Sequence, residues 1–135
     1  MNTPASEYIH KLIPESLDAV PFHSQVNWIE RLVAHNVPFH LAVHKITAAK
    51  ETPVEYVEMH NHSYPELNII LGDDEAFEFK VHLGTNVYQV KSPSTIWIPA
   101  GMDHFIVAVN GSGYYICIIF KESANVTYES LTGQS

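Results

Sequence analysis

The residues best suited to chemistry fall in two short segments. The first is His60-Asn61-His62-Ser63-Tyr64-Pro65-Glu66. In an extended chain, side chains two apart share a face, so His60 and His62 project together and offer two imidazoles to one ion. Beyond the Tyr-Pro step, Glu66 can bring a carboxylate to the same centre. The second segment is Ile98-Pro99-Ala100-Gly101-Met102-Asp103-His104-Phe105. Pro99 and Gly101 force a tight reversal between two strands, and His104 is the first residue into the returning strand. In a barrel that strand can lie across from the His60 strand, so a third imidazole enters from the opposite side. Three neutral imidazoles and one carboxylate form a nitrogen/oxygen site for a borderline divalent cation, and Fe, Mn, Ni, Co, Cu and Zn all qualify. An octahedral ion held this way keeps two positions for water, substrate or dioxygen, which suits Lewis-acid or oxygen chemistry. Each segment alone is a common strand or turn pattern. Together, in this order and at strand borders, they lead to the expectation that His60, His62, Glu66 and His104 ligate a divalent transition metal.

Other residues carry weaker signals. Tyr64 sits between the ligands and could hydrogen-bond a substrate or simply cover the barrel mouth. His40 and His44 are four apart on an expected strand and share a face; either one of them lines the pocket, or the two form a second metal pair lacking a third ligand. His82 alternates out of the Phe77, Phe79, Val81 face and points either inward or to solvent. Cys117 lies in an apolar run and reads as a buried, inert thiol. There is no G-x-S-x-G and no Gly-rich run before a lysine, so serine-triad and phosphate-loop chemistry find no support.

The elements that must position these residues are mostly strands. Phe39 to Thr47, Val54 to Met59, Glu66 to Leu71, Glu75 to Leu83, Asn86 to Lys91, Thr95 to Ile98, Phe105 to Val109 and Tyr114 to Phe120 are short and rich in Val, Ile, Tyr, Phe or Thr. Turn signals separate most of them, at Gly72-Asp73-Asp74, Gly84-Thr85-Asn86, Ser92-Pro93-Ser94, Pro99-Ala100-Gly101 and Asn110-Gly111-Ser112-Gly113. Gly84-Thr85-Asn86 suits a hairpin. Many short, evenly spaced strands mean a sandwich or barrel. Before them, Ser24 to His35 places Trp28, Leu32 and His35 at three-to-four spacing, which predicts one short amphipathic helix capped by Ser24. The expected organisation is an N-terminal arm and short helix over 1–38, a barrel over 39–121 and a loose polar tail over 122–135. Phe77, Phe79, Tyr88, Trp97, Tyr115 and Phe120 are the expected aromatic core, some of them lining the cavity.

Composition narrows the function classes. At 135 residues the chain fits one domain that can bury roughly two-thirds of its unfolded surface. Seven basic against fifteen acidic residues give a formal charge of -8, which excludes the cationic footprint of a nucleic-acid binder or an anionic-membrane binder. No apolar stretch is long enough for a membrane span, and the first residues lack a signal-peptide pattern, so a cytoplasmic protein is expected. A single cysteine excludes an internal disulfide and a thiolate zinc site. Arg31 is the sole arginine and falls in the expected helix, so the barrel itself lacks a bidentate clamp for phosphates or dicarboxylates. A neutral or monoanionic chelating molecule is the easier substrate. Ile9, Leu12, Ile13, Leu17, Val20 and Phe22 need burial that a second copy could supply, so a homodimer is expected.

The pattern His60-x-His62-x-x-x-Glu66-x-x-x-x-x-Gly72, followed by Pro99-x-Gly101-x-x-His104, resembles the two motifs of the cupin family. The stretch from Phe39 to Phe120 is similar to one whole cupin domain. Four features depart from the family pattern: Val54 and Pro93 stand where the motifs usually open with Gly, Ala108 where Asn often closes the second, and Gly72 follows Glu66 one residue early. The ligand positions are retained. The resemblance implies an all-β fold, a jelly-roll barrel or double-stranded β-helix, with the metal held by His60, His62, Glu66 and His104. It further implies a metal-dependent enzyme, an oxidoreductase of dioxygenase type acting on a small chelating molecule such as a thiol, diketone, enediol or phenol. Glu66 then has a possible second role as a base. Two alternatives stand beside it: a metal-binding sensor without turnover, and a Zn or Mn Lewis-acid isomerase or lyase acting on a sugar-like substrate.

Overall fold

Eight strands account for most of residues 8–72 and 76–121, the residues that the computed structural model describes. They are β1 (Ile13–Pro14), β2 (Ile29–Ala34), β3 (His40–Lys50), β4 (Glu66–Gly72), β5 (Glu78–Leu83), β6 (Asn86–Lys91), β7 (Ser94–Ile98) and β8 (His104–Ile119). All pairings are antiparallel, and the order is β1-β2-β3-β8-β4-β7, with β5 and β6 joined through β8. The strands follow from period-two alternation of side chains. On β5, Phe79 and Val81 point inward; on β7, Ile96 and Ile98 do so.

β8 closes the barrel because it belongs to two parts of the sheet. Its first half pairs with β5, and its second half lies between β3 and β4. Asn110-Gly111-Ser112-Gly113, expected to be a turn between two strands, is instead a bend within one continuous strand. Gly111 has φ +86°, and a Cβ there would lie 2.7 Å from the Cα of Phe77, so only glycine lets the strand turn against that residue.

Three further expectations are corrected. Ser24 to His35 does not form a helix: Ile29–Ala34 is strand β2, in register with β3 from Ile29↔Ile46 to Ala34↔Leu41. Ile29, Arg31 and Val33 face inward on it, so period two and the pairing with β3 override the apparent helical spacing. The nearest helical feature is a single 3-10 turn, Leu17–Ala19. Ser24 caps nothing there; its N–H donates to the Tyr56 carbonyl at 2.8 Å. Val54 to Met59 is not a strand and makes one isolated bridge, Val57 to His23, although Tyr56 and Val57 are buried. Tyr88 is not core: it lies on β6, an exposed edge strand.

The Gly84-Thr85 hairpin forms as expected, with Leu83 paired to Asn86. The core collects Phe77, Phe79, Val81, Ile46, Ile70, Ile96 and Ile98, together with Leu17, Trp28 and Ile29 from upstream of β3. Residues 73–75, which include part of the Gly72-Asp73-Asp74 turn, and the tail 122–135 lie outside the described residues.

Candidate metal centre

The two ligand segments meet at a backbone bridge. The His60 N–H donates to the His104 carbonyl at 3.1 Å, and the His104 N–H donates back at 2.8 Å. The turn that delivers His104 is tied to the first segment as well. Gly101, at φ +80°, donates its N–H to the His62 carbonyl at 2.7 Å, and Asn61 Nδ2 donates to the Asp103 carboxylate at 2.7 Å. The three imidazoles therefore converge. Their ring centroids are 4.5 Å (His60–His104), 5.0 Å (His60–His62) and 5.3 Å (His62–His104) apart, and one nitrogen from each lies within 4.8 Å of the others.

Glu66 joins this cluster from β4. Its Oε1 lies 3.3 Å from His62 Nε2 and 3.6 Å from His104 Nε2, and its Oε2 accepts a 2.8 Å hydrogen bond from Asn68 Nδ2. Asn68 sits two residues on, so strand alternation puts both side chains inside the barrel. The sequence signal for Asn68 was this spacing, and it was missed.

The donor set fits a divalent transition ion. His60 Nδ1 lies 2.7 Å from the Glu58 carbonyl and His104 Nδ1 lies 2.8 Å from the Met102 carbonyl. A carbonyl only accepts, so each Nδ1 carries the proton and each Nε2 presents its lone pair. His104 is almost fully buried, yet its Nε2 has no hydrogen-bond partner. A buried, aimed and unpartnered nitrogen beside two imidazoles and a carboxylate is what a metal ligand requires before the ion arrives.

Electrostatics favour the ligand forms of His60 and Glu66. Burial pushes His60 down to about 4, more than the Glu58 carbonyl offsets, so its ring is neutral. Burial alone would raise the Glu66 carboxyl, but His104, His62 and Asn68 outweigh it and hold it well below the usual carboxylate range. Burial would likewise lower His104; the Glu66 carboxylate and the Met102 carbonyl reverse that and raise it.

A cavity of about 60 Å³ opens beside the cluster. Its apolar wall includes Ala42, Val57, Ile106 and Ile119; its polar wall includes His23, Arg31, His40 and His44. His40 and His44 thus both line the cavity, where the expectation was for one of them. Burial, then the Arg31 charge, pushes His40 to about 4 and His44 to about 3. Cys117 also lines the cavity, and burial pushes its thiol up, away from the thiolate. Tyr64 is exposed and is not part of the cavity wall. His82 packs on the Phe105 ring, 5.0 Å between centroids, away from the cavity.

Arg31 and His23 were missed by sequence reasoning. Arg31 was placed on a helix outside the barrel; as a β2 residue opposite His44 it is inside. The available signal was Ile29-x-Arg31-x-Val33, two β-branched residues flanking arginine at period two. His23 reaches the cavity through the ribbon it forms with Val57, next to Phe22. The Phe22 ring stacks on His60 at 5.6 Å, with its backbone at φ +68°.

No family model matches the sequence, and no curated protein matches it significantly. Solved structures do match the fold. A predicted oxalate decarboxylase from Thermotoga maritima aligns at TM-score 0.56 and 18% identity, over 80% of this chain and 91% of that one. An RmlC-like cupin from Shewanella frigidimarina aligns at 0.54 and 14%, over 72% and 79%. The iron(II) form of HppE aligns at 0.54 and 12%, over 79% and 64%. At these identities the likeness speaks for architecture, and with the barrel described above it identifies the fold of this chain as that of the cupins.

Proposed function

We propose that the chain is a metal-dependent enzyme of the single-domain cupin type, acting by dioxygenase-like chemistry on a small chelating molecule. One observation carries this reading: three imidazoles converge at the edge of a cavity with the Glu66 carboxylate beside two of them, and the Nε2 of His104 is buried without a hydrogen-bond partner. A bound divalent transition ion would supply Lewis acidity and, for a redox-active metal, a route for electrons to dioxygen. The chain's own residues do the rest. The Glu58 and Met102 carbonyls fix two imidazole orientations, and Asn68 fixes Glu66. Ala42, Val57, Ile106 and Ile119 restrict water beside the ligands. Glu66 stays ionised and is positioned to accept a proton from an adjoining ligand.

Elemental analysis of the purified protein, followed by oxygen uptake across thiol, diketone, enediol and phenolic substrates, tests this reading. Bound iron and substrate-dependent oxygen consumption are the expected result. Zinc alone, with no oxygen consumption after loading with Fe(II), would replace it with the Lewis-acid isomerase or lyase.

We further infer a homodimer. Ile9, Leu12 and Ile13 are exposed at 79%, 40% and 45%, next to β1, an edge of the sheet. Apolar residues on a sheet edge favour pairing with another chain. A monomeric mass by light scattering at micromolar concentration would refute the dimer.

A further inference from the structure

Arg31 is the sole arginine in the chain, and its side chain is 4% exposed. It lines the metal cavity, where Glu66 is the other permanently charged residue. A guanidinium offers five N–H donors in a planar fork. Among the described residues Arg31 uses one side-chain hydrogen bond, from Nη1 to Glu15 Oε1 at 3.2 Å. Glu15 is itself 41% exposed, so it is a solvated partner. A buried charge is costly unless its donors are satisfied; among the described residues the rest of this fork makes no hydrogen bond to protein, and its nitrogens are not among the atoms sealed from solvent, so they stay open to a small ligand. His40 and His44 beside it carry no charge to offset: burial, then the Arg31 charge, pushes them to about 4 and about 3.

Charge and volume restrict what would complete the fork. With a divalent ion in place, the ion, Glu66, Arg31 and Glu15 together carry a single positive charge. A cavity of about 60 Å³ holds roughly four to six water-sized groups. Carboxylate and phosphate both match a guanidinium fork, but a phosphate brings about two negative charges against the single positive charge here, so a carboxylate is the better fit.

We propose that Arg31 is the anion-recognising residue of this cavity, and that the substrate is a small monocarboxylate whose other end is the donor presented to the His60, His62, Glu66 and His104 cluster. This rests on the metal-site reading above and narrows its substrate class. The competing role for Arg31 is purely structural: a clamp holding β1 to β2 through Glu15, whose N–H also donates to the Arg31 carbonyl at 3.0 Å.

The test loads the full chain with cobalt and titrates it with mercaptoacetate and 3-mercaptopropionate. The neutral counterparts are 2-mercaptoethanol and 3-mercaptopropan-1-ol, all read by thiolate-to-cobalt absorption. Each acid should bind at least about tenfold more tightly than the alcohol of equal length, as a charge-assisted pair requires. Arg31→Gln should collapse that preference while cobalt content and alcohol binding hold. Arg31→Lys should restore part of it. Glu15→Gln, which removes the competing carboxylate, should raise acid affinity alone. Cobalt uptake without an acid preference, or an acid preference that survives in Arg31→Gln, overturns the proposal. If Arg31→Gln fails to fold, Glu15→Gln decides: raised acid affinity supports the proposal and unchanged affinity overturns it. Failure of the metal site looks different, because cobalt is then not taken up and no thiol produces absorption; that result removes both readings.

Discussion

Along β4 the inward residues run Glu66, Asn68, Ile70; along β3 they run Ala42, His44, Ile46; along β8 they run His104, Ile106, Ala108. The same strands thus build two interiors. At one end Phe77 and Phe79 meet edge to face at 5.0 Å, and Phe79 stacks on Tyr115 at 5.5 Å. At the other end polar groups face a cavity. Among the described residues, the buried side-chain atoms without a hydrogen-bond partner are Asn68 Oδ1 and His104 Nε2, both at the polar end. Stability and ligation are separated by about two residues of strand. The packed end supplies the free energy that lets the other end hold unsatisfied groups in place.

That division can be broken from either side. The largest effect expected is at the packed end: Phe79→Ala should cost about 3–5 kcal/mol in urea unfolding of the metal-free protein. A cost under about 1 kcal/mol would mean that stability is not concentrated there. His62→Ala should do the reverse. Its ring is partly exposed, so metal-free stability should barely change, while metal affinity measured by competition with a chelator should fall more than about 100-fold. Unchanged metal content in that variant would show that the ligand cluster is misassigned.

A third measurement uses pH. Burial and the Arg31 charge push His44 in the folded chain to about 3, against about 6.5 when unfolded. Below about pH 6.5 the unfolded chain takes up a proton that folded His44 refuses. The stability present at pH 7 therefore falls by about 1.4 kcal/mol per unit as pH drops toward 3. Between pH 7 and 5, His44→Leu should lose about 2 kcal/mol less than the parent protein in denaturant titrations. Identical pH profiles would place His44 in water. The smallest effect expected is that of Asn68→Ala, which frees Glu66 to rotate and should lower metal affinity roughly tenfold. No change there would mean that Glu66 is held by the histidines alone.

How much of this could be read beforehand depended on sequence distance. His60, His62, Glu66 and His104 were legible because strand alternation and a Pro-Gly reversal fix their directions locally. The barrel was legible in its many short β-branched runs. The fate of Ser24 to His35 was not: a short apolar segment fits both periods, and only pairing with β3 selects period two, carrying Arg31 inward. Gly111 and Gly113 have the composition of a turn, yet they bend one strand around Phe77. Their role depends on a neighbour more than thirty residues upstream, which no local pattern encodes.

The reach of β8 dictates an order of assembly. β3, β4 and β5 each leave an edge open until this one strand arrives, and all three precede it in the chain. Closing those long loops is the slow, entropically costly stage of building such a fold. His104 rides on the same strand, so the third imidazole of the cluster is delivered by the act that completes the wall. An ion bound by this cluster would therefore meet its complete set of imidazoles only once the vessel is finished, rather than act as a seed around which the chain gathers.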